Sequence, residues 1–175
     1  VLTHKEGTIT TRVFWQSPSG AAGMSEVEAI VELDKRLARA TASRLLSDVP
    51  LGVFLSGGID SSTVAYYAAR ATKEPIHTFS IGFDEASFDE SDYAKQVATQ
   101  IKSDHHHKTL TGADSLRVIP KVFEQLDEPM ADASIIPTYL LSEFTREHVT
   151  VALGGDGGDE LFAGYQTFQA EKAYT

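Results

Sequence analysis

The segment Val53-Phe54-Leu55-Ser56-Gly57-Gly58-Ile59-Asp60-Ser61-Ser62 constrains this chain more than any other. An apolar strand runs directly into a Ser-Gly-Gly turn, and an acid and two hydroxyls open the helix that follows. Glycines let backbone N–H groups converge without Cβ interference, and a helix N-terminus adds free donors and the positive end of a dipole. The serine hydroxyls supply further donors. Asp60 would repel a bare phosphate but suits a Mg²⁺ ion bound to one. The order of residues therefore predicts a nucleotide site that grips pyrophosphate. The plainer alternative is a tight strand-to-helix connection with Asp-Ser-Ser as ordinary capping.

Strands and helices alternate along the rest of the chain. Ser25-Glu26-Val27-Glu28 has capping-box spacing, and Val27, Ile30, Val31, Leu37 and Leu45 keep helical phase to about Leu46. A strand near Leu51–Leu55 follows Asp48-Val49-Pro50, then a helix from about Asp60 to Thr72 and a strand at Ile76–Gly82. Asp89 is placed to cap a helix carrying Tyr93, Val97 and Ile101. His105–Leu110 reads as a strand, Leu116, Ile119, Phe123 and Leu126 as a helix whose first turns Pro120 disturbs, Ser134 to about Glu147 as a helix containing Pro137, and Val149–Leu153 as a strand. Near the start, Thr8 to Trp15 suggests a short strand and Ser17-Pro18-Ser19-Gly20 a linker.

This alternation predicts an α/β layered domain with a largely parallel, twisted sheet flanked by helices. Ligands of such sheets sit beyond the carboxyl ends of the strands, near a topological switch point. Three glycine-bearing turns are expected there: Ser56-Gly57-Gly58, Ser80-Ile81-Gly82, and Gly154-Gly155-Asp156-Gly157-Gly158-Asp159-Glu160. The last carries three carboxylates, and two acidic loops at one sheet edge repel unless cations intervene.

Charge and composition narrow the chemistry. With a formal net charge of −10, non-specific nucleic-acid binding is disfavoured, and an anionic substrate must be held by helix ends, backbone amides and metal ions. Zero cysteines exclude a thiolate metal site, a disulfide framework and a cysteine nucleophile within these 175 residues. No apolar run reaches transmembrane length and no signal peptide is visible, so a cytoplasmic, non-membrane protein is expected. His105-His106-His107 invites a metal reading. Adjacent strand residues point to opposite faces, however, so the three cannot readily share one ion, and an ordinary edge or surface strand is expected. Asp127-Glu128-Pro129 fits either a helix-ending turn or the lining of a substrate pocket.

The Ser-Gly-Gly-Ile-Asp-Ser-Ser turn lacks the lysine of a Walker P-loop. It resembles instead the PP-loop of the ATP pyrophosphatases, which cleave ATP between the α and β phosphates. With Thr78-Phe79-Ser80-Ile81-Gly82-Phe83, Asp127-Glu128-Pro129-Met130 through Tyr139, and Leu153 to Tyr165, the chain is similar to the synthetase domain of class B, glutamine-hydrolysing asparagine synthetases over most of residues 25–170. The resemblance implies an adenine-nucleotide alpha-hydrolase-like fold, ATP and Mg²⁺, and conversion of aspartate and ammonia to asparagine through an acyl-adenylate. It implies that Ser56, Gly57, Gly58, Ser61 and Ser62 hold pyrophosphate and that Asp60 and Asp159 ligate Mg²⁺. Leu55 and Ile81 would bracket adenine, and Gly154 and Gly155 would lie against ribose and α-phosphate. Asp156 stands where many members have Glu, a position implicated in forming or consuming the acyl-adenylate. The shorter carboxylate leaves the acceptor acid open.

Members of that family carry a glutaminase domain ahead of this region, and nothing in these residues matches it. The resemblance thus implies a strand and linker remnant at residues 1–23 and a C-terminally truncated ATP-binding domain at 24–175, with the glutaminase domain on the same polypeptide and the fragment itself weak or inactive. No nucleic-acid partner is implied, and a homodimer is left open. Two other functions fit the same motifs: a β-lactam synthetase-like amidotransferase acting on another carboxylate, and a nucleotide-binding module without turnover.

Overall fold

The structure, a computed structural model, describes residues 1–16, 23–84 and 91–174. The chain divides into two compact units, Val1–Leu33 and Asp34–Thr175. In the first, β1 (Leu2–Lys5) and β2 (Thr8–Thr11) form an antiparallel hairpin. Its two turn residues, Glu6 and Gly7, both take positive φ (50° and 78°), the backbone twist that a two-residue hairpin turn requires. The sequence pattern predicts only one strand here, running to Trp15. It misses β1 because Glu-Gly is a weaker turn signal than Asn-Gly, and β2 stops at Thr11 where its pairing with Leu2 ends. Helix α1 (Glu26–Arg44) opens with the expected capping box: the Ser25 N–H donates to Glu28 Oε2 at 2.9 Å and the Glu28 N–H to Ser25 Oγ at 3.4 Å. The linker at Ser17–Gly20 and the cap at Asp89 lie outside the described residues.

The second unit is an α/β sandwich around a four-stranded sheet. Its strands are β3 (Leu51–Phe54), β4 (His77–Phe83), β5 (Asp104–Leu110) and β6 (Val151–Leu153), in the order β5-β4-β3-β6 and all parallel. Helices α2 (Ile59–Ala71) and α3 (Ser91–Ile101) pack one face, where Val53 and Leu55 meet Ala65, Ala68, Ala94 and Ala98. Small residues on both helices allow that close approach. Helices α4 (Gly112–Gln125) and α5 (Ile135–Thr145) cover the other face, where Leu110, Val118, Val122 and Leu140 cluster beside Phe79, Phe144 and Val149. Short helices α6 (Gly158–Phe162) and α7 (Gln166–Tyr174) follow β6.

Two prolines are accommodated where their missing N–H costs little. Pro137 is the third residue of α5, inside the first turn whose N–H groups have no helical partner. Pro120 lies within α4, which nevertheless begins eight residues earlier. A Thr111–Asp114 capping box nucleates that start, and the proline faces solvent, where water can satisfy the carbonyl it leaves free.

The chain order fixes where a ligand can enter. From β3 it moves outward to β4 and β5, then returns to lay β6 on the opposite side of β3. The direction reverses between β3 and β6, so the loops leaving these two strands diverge around a crevice.

Candidate nucleotide site

A cleft of about 820 Å³ occupies that crevice, lined by residues 54–56 and 58–61, by Phe79, Ser80 and Ile81 of β4, by Thr138 and Leu141 of α5, and by residues 154–160, Phe162, Gly164 and Tyr165. The structure thus brings Leu55, Ser56, Gly58, Asp60, Ser61, Ile81, Gly154, Gly155, Asp156 and Asp159 into one lining. Gly57 and Ser62 lie behind it. Gly57, at φ 88°, presses on the start of α3, where an added Cβ would stand 2.5 Å from Tyr93 Cβ and 2.6 Å from the Ala94 nitrogen. The Ser62 hydroxyl is buried without a hydrogen-bond partner among the described residues.

The first loop is braced by its own hydroxyls. Ser61 Oγ accepts from the Ser56 N–H at 3.2 Å and shares a 2.9 Å hydrogen bond with Ser56 Oγ, which in turn accepts from the Gly58 N–H at 3.2 Å. The turn is held open as α2 begins, with Gly58 as its extended N-cap and Asp60 in its first turn. Two of the serines read as phosphate donors therefore also shape the turn itself.

The second loop reaches the first only because it is rich in glycine. A Cβ on Gly155 would stand 2.8 Å from the Ser61 nitrogen and 3.0 Å from the Asp60 carbonyl carbon, and one on Gly158 would fall on the Asp60 carboxylate. Gly164 does the same for the Asp159 carboxylate. Gly157 takes φ 90°, the left-handed conformation that turns the chain into α6. Asp159 and Glu160 consequently sit in the first turn of a short helix, not in an irregular loop. Glu160 accepts a 2.7 Å hydrogen bond from the Tyr165 hydroxyl, which holds its carboxyl below the ordinary range and raises the tyrosine.

One expected turn is absent. Ser80-Ile81-Gly82 lies within β4, paired with His107, Lys108 and Thr109 of β5. Ser80 and Ile81 still line the cleft because the β3 ladder ends at Phe54 opposite Phe79, with one further bond from the Leu55 N–H to the Phe79 carbonyl at 2.8 Å. Beyond that point β4 is paired on one side only, and its other edge borders the crevice.

The charge of the lining is one-sided. Asp60, Asp156, Asp159 and Glu160 face the cleft, and it has no lysine, arginine or histidine among its described lining residues. Among the described residues neither the Asp60 nor the Asp159 carboxylate takes part in a salt bridge or hydrogen bond; the Asp159 backbone carbonyl is engaged, by the Gly164 N–H at 3.0 Å. Carboxylates set against glycines, beside a helix N-terminus and without cationic neighbours, fit a hard divalent cation with oxygen ligands. Asp127, Glu128 and Pro129 are exposed after the end of α4 and outside this lining, on the helix-ending side of the two alternatives.

The histidine run alternates across edge strand β5, as expected. His105 and His107 bond the hydroxyls of Thr78 and Ser80 on one face, at 2.9 to 3.2 Å. Burial, reinforced by the neighbouring His107, pushes His105 below the usual imidazole range. His106 faces the other way, stacked on Phe79 at 4.9 Å. Sequence inspection missed that it meets His77 and Asp104 there. The signal was present as Asp104-x-His106 on one strand face, but His77 joins them only through the β4–β5 register.

A four-stranded parallel sheet with a braced Ser-Gly-Gly turn and an acidic glycine loop at its switch point defines an α/β layered domain with one cleft at that switch point. The chain belongs to the asparagine synthase family, whose pattern residues 32–175 match. It is 44% identical over 155 residues to a putative glutamine-hydrolysing asparagine synthetase 2 of Methanocaldococcus jannaschii, covering 88% of this chain and 30% of that protein. It is 34% identical over 164 residues to glutamine-hydrolysing asparagine synthetase 1 of Bacillus subtilis, covering 94% and 26%. The chain therefore spans under a third of the length of these two relatives. Among solved structures, NMN synthetase from Francisella tularensis shares the fold at a TM-score of 0.53 and 16% identity, over 77% of this chain and 58% of that one. No described helix is long and apolar enough to cross a membrane.

Proposed function

We propose that the cleft binds Mg-ATP and that, within the longer polypeptide, it activates the side-chain carboxylate of aspartate as an acyl-adenylate, releasing pyrophosphate, for amidation to asparagine. The observation that carries this is the direct seating of Gly155 and Gly158 on Asp60 and Ser61 at the switch point. It supports a site in which phosphate donors from the first loop and carboxylates from both loops act on one ligand.

Ser56, Gly58 and Ser61, with the first-turn N–H groups of α2, would hold the β and γ phosphates, and Gly57 would shape the turn. Ser62 stands behind the lining, and its unpartnered buried hydroxyl has hydrogen-bonding capacity to spare for the same grip. Leu55 and Ile81 would flank the adenine, while Gly154 and Gly155 leave backbone open toward ribose and the α-phosphate. Asp60 and Asp159 would hold Mg²⁺, which when bound offsets the negative charge of phosphates and carboxylates alike. Asp156, exposed at the cleft, would take a proton from attacking ammonia. A carboxylate is a poor electrophile because its oxygen leaves badly, and adenylation supplies AMP as the leaving group. The glutamine-hydrolysing relatives support a glutaminase domain, on the same polypeptide, as the source of ammonia.

The test is nucleotide product analysis with the full-length polypeptide, ATP, Mg²⁺, ammonia and a panel of carboxylates. Aspartate-dependent formation of AMP, pyrophosphate and asparagine is expected. The same nucleotide products with another acid only would move the assignment to a different amidotransferase, and ATP binding without consumption would leave a non-catalytic module.

A further inference from the structure

His77, Asp104 and His106 converge at the N-terminal ends of β4 and β5, away from the strand ends that border the nucleotide cleft. His77 is the first residue of β4 and Asp104 the first of β5, directly paired in register, and His106 lies two residues along on the same strand face. The His77 Nδ1 to His106 Nε2 separation is 3.1 Å, His77 Nδ1 to Asp104 Oδ2 is 3.0 Å, and His106 Nε2 to Asp104 Oδ2 is 3.4 Å. These are the edges of a nearly equilateral triangle. A tetrahedral zinc ion with ligand bonds of about 2.0–2.1 Å has ligand-to-ligand edges of about 3.3–3.4 Å, so the triangle matches one tetrahedral face with little adjustment.

The scaffold holds the ligands before any ion arrives. The His106 ring is stacked on Phe79 at 4.9 Å with 14° between planes, and the His148 ring, just beyond α5, lies 4.1 Å from it. Phe79 is fully buried, which fixes the platform. The Asp104 N–H donates to the Ile76 carbonyl at 3.0 Å, pinning the start of β5 beside the start of β4. Side-chain exposures of 39% for His77 and 55% for Asp104 leave a path from solvent and room for a water as fourth ligand.

The geometry points to a transition-metal site formed by His77 Nδ1, His106 Nε2 and one Asp104 oxygen, taking zinc or a similar borderline divalent ion and clamping β4 to the sheet-edge strand β5. Two imidazoles favour zinc, nickel or cobalt over the all-oxygen preference of Mg²⁺, so this site and the carboxylate-lined cleft select different ions. Each ring nitrogen presents its lone pair when its proton sits on the ring's other nitrogen. The site does not depend on the assignment of the nucleotide cleft.

The test uses the full chain stripped with chelator, then titrated with zinc chloride by calorimetry without nucleotide. One equivalent of zinc should bind and raise the thermal midpoint with increasing free metal. His77→Gln and Asp104→Asn, both at partly exposed positions, should each weaken binding by about tenfold or more, while His107→Gln on the opposite strand face should not. Histidine ring ¹⁵N spectra of the unmutated protein give a readout independent of folding in the variants: His77 Nδ1 and His106 Nε2 should shift on adding zinc, and the rings of His105 and His107 should not. Absence of zinc binding would overturn the site. Binding undiminished in the His77→Gln/Asp104→Asn double variant, or zinc-induced shifts confined to other histidines, would equally overturn it.

Discussion

The carboxylate of Asp60 lies against Gly158 so closely that a Cβ on the glycine would clash with both carboxylate oxygens. Two loops far apart in the chain, which leave the neighbouring strands β3 and β6, thus share one cleft surface, and the glycines are the reason they can. Gly155 and Gly158 make this contact differently, which separates their expected effects. At Gly155 an added methyl meets backbone of α2, which cannot yield without moving the helix start. Gly155→Ala should lower stability by about 1–3 kcal/mol as well as weaken nucleotide binding. At Gly158 it meets the end of a side chain that can rotate away, so Gly158→Ala should leave the thermal midpoint nearly unchanged and weaken Mg-ATP binding. Paired thermal melts and ATP titrations check both.

With four carboxylates and no basic side chain in the described lining, ATP binding should depend strongly on divalent cation. Chelating Mg²⁺ should weaken ATP binding by at least about tenfold, or roughly 1.4 kcal/mol. Asp60→Ala should abolish most of that Mg²⁺ dependence and, in the full-length polypeptide, remove ATP turnover. Unchanged turnover in Asp60→Ala would exclude it as a metal ligand.

Gly52 of β3 leaves space for the ring of Phe79 on β4. An added Cβ would stand 2.5 Å from Phe79 Cε2 and 3.1 Å from the His77 carbonyl oxygen. Gly52→Ala should cost about 1–3 kcal/mol through overpacking, and Phe79→Ala about 3–5 kcal/mol through the cavity left behind. Chemical denaturation measures both.

Arg117 of α4 and Glu143 of α5 form a two-point ion pair, with Nη1 to Oε1 at 3.2 Å and Nη2 to Oε2 at 2.6 Å. The arginine's hydrogen bonds hold the Glu143 carboxyl below its ordinary 4.5. A carboxyl depressed in the folded state binds fewer protons there than in the unfolded chain. Its contribution is therefore full above about pH 4.5 and is lost as pH falls through the lower folded-state value. Side-chain exposures of 45% and 34% keep the contribution small and salt-sensitive. Glu143→Gln should flatten this part of the acid-stability profile, and the difference from the unmutated chain should shrink in high salt.

The hydrophobic runs and their spacing made β3, β4, β6 and the intervening helices legible, because those strands are short, largely apolar segments, while β5 is a polar edge strand with Leu110 as its one buried apolar residue. The Ser56–Ser62 turn was equally legible, since its glycines and hydroxyls act within a few residues of one another. Ser80–Gly82 reads both as the end of an Ile76–Gly82 strand and as a turn, because glycine punctuates strands as well as ending them. Whether β4 stops there depends on its pairing with β5, which lies more than twenty residues downstream.

What the sequence determined alone was therefore local: most of the elements, the Ser-Gly-Gly turn and the acidic glycine loop, all set by short-range sterics, capping and hydrophobic period. Only the tertiary structure decided which residues meet. The reversal of strand order at β3 brings Gly155 and Gly158 onto Asp60, and the β4–β5 register sets His77 beside Asp104 and His106. These contacts join residues far apart in the chain, and their distances follow from how the sheet is ordered and paired, which no local pattern encodes.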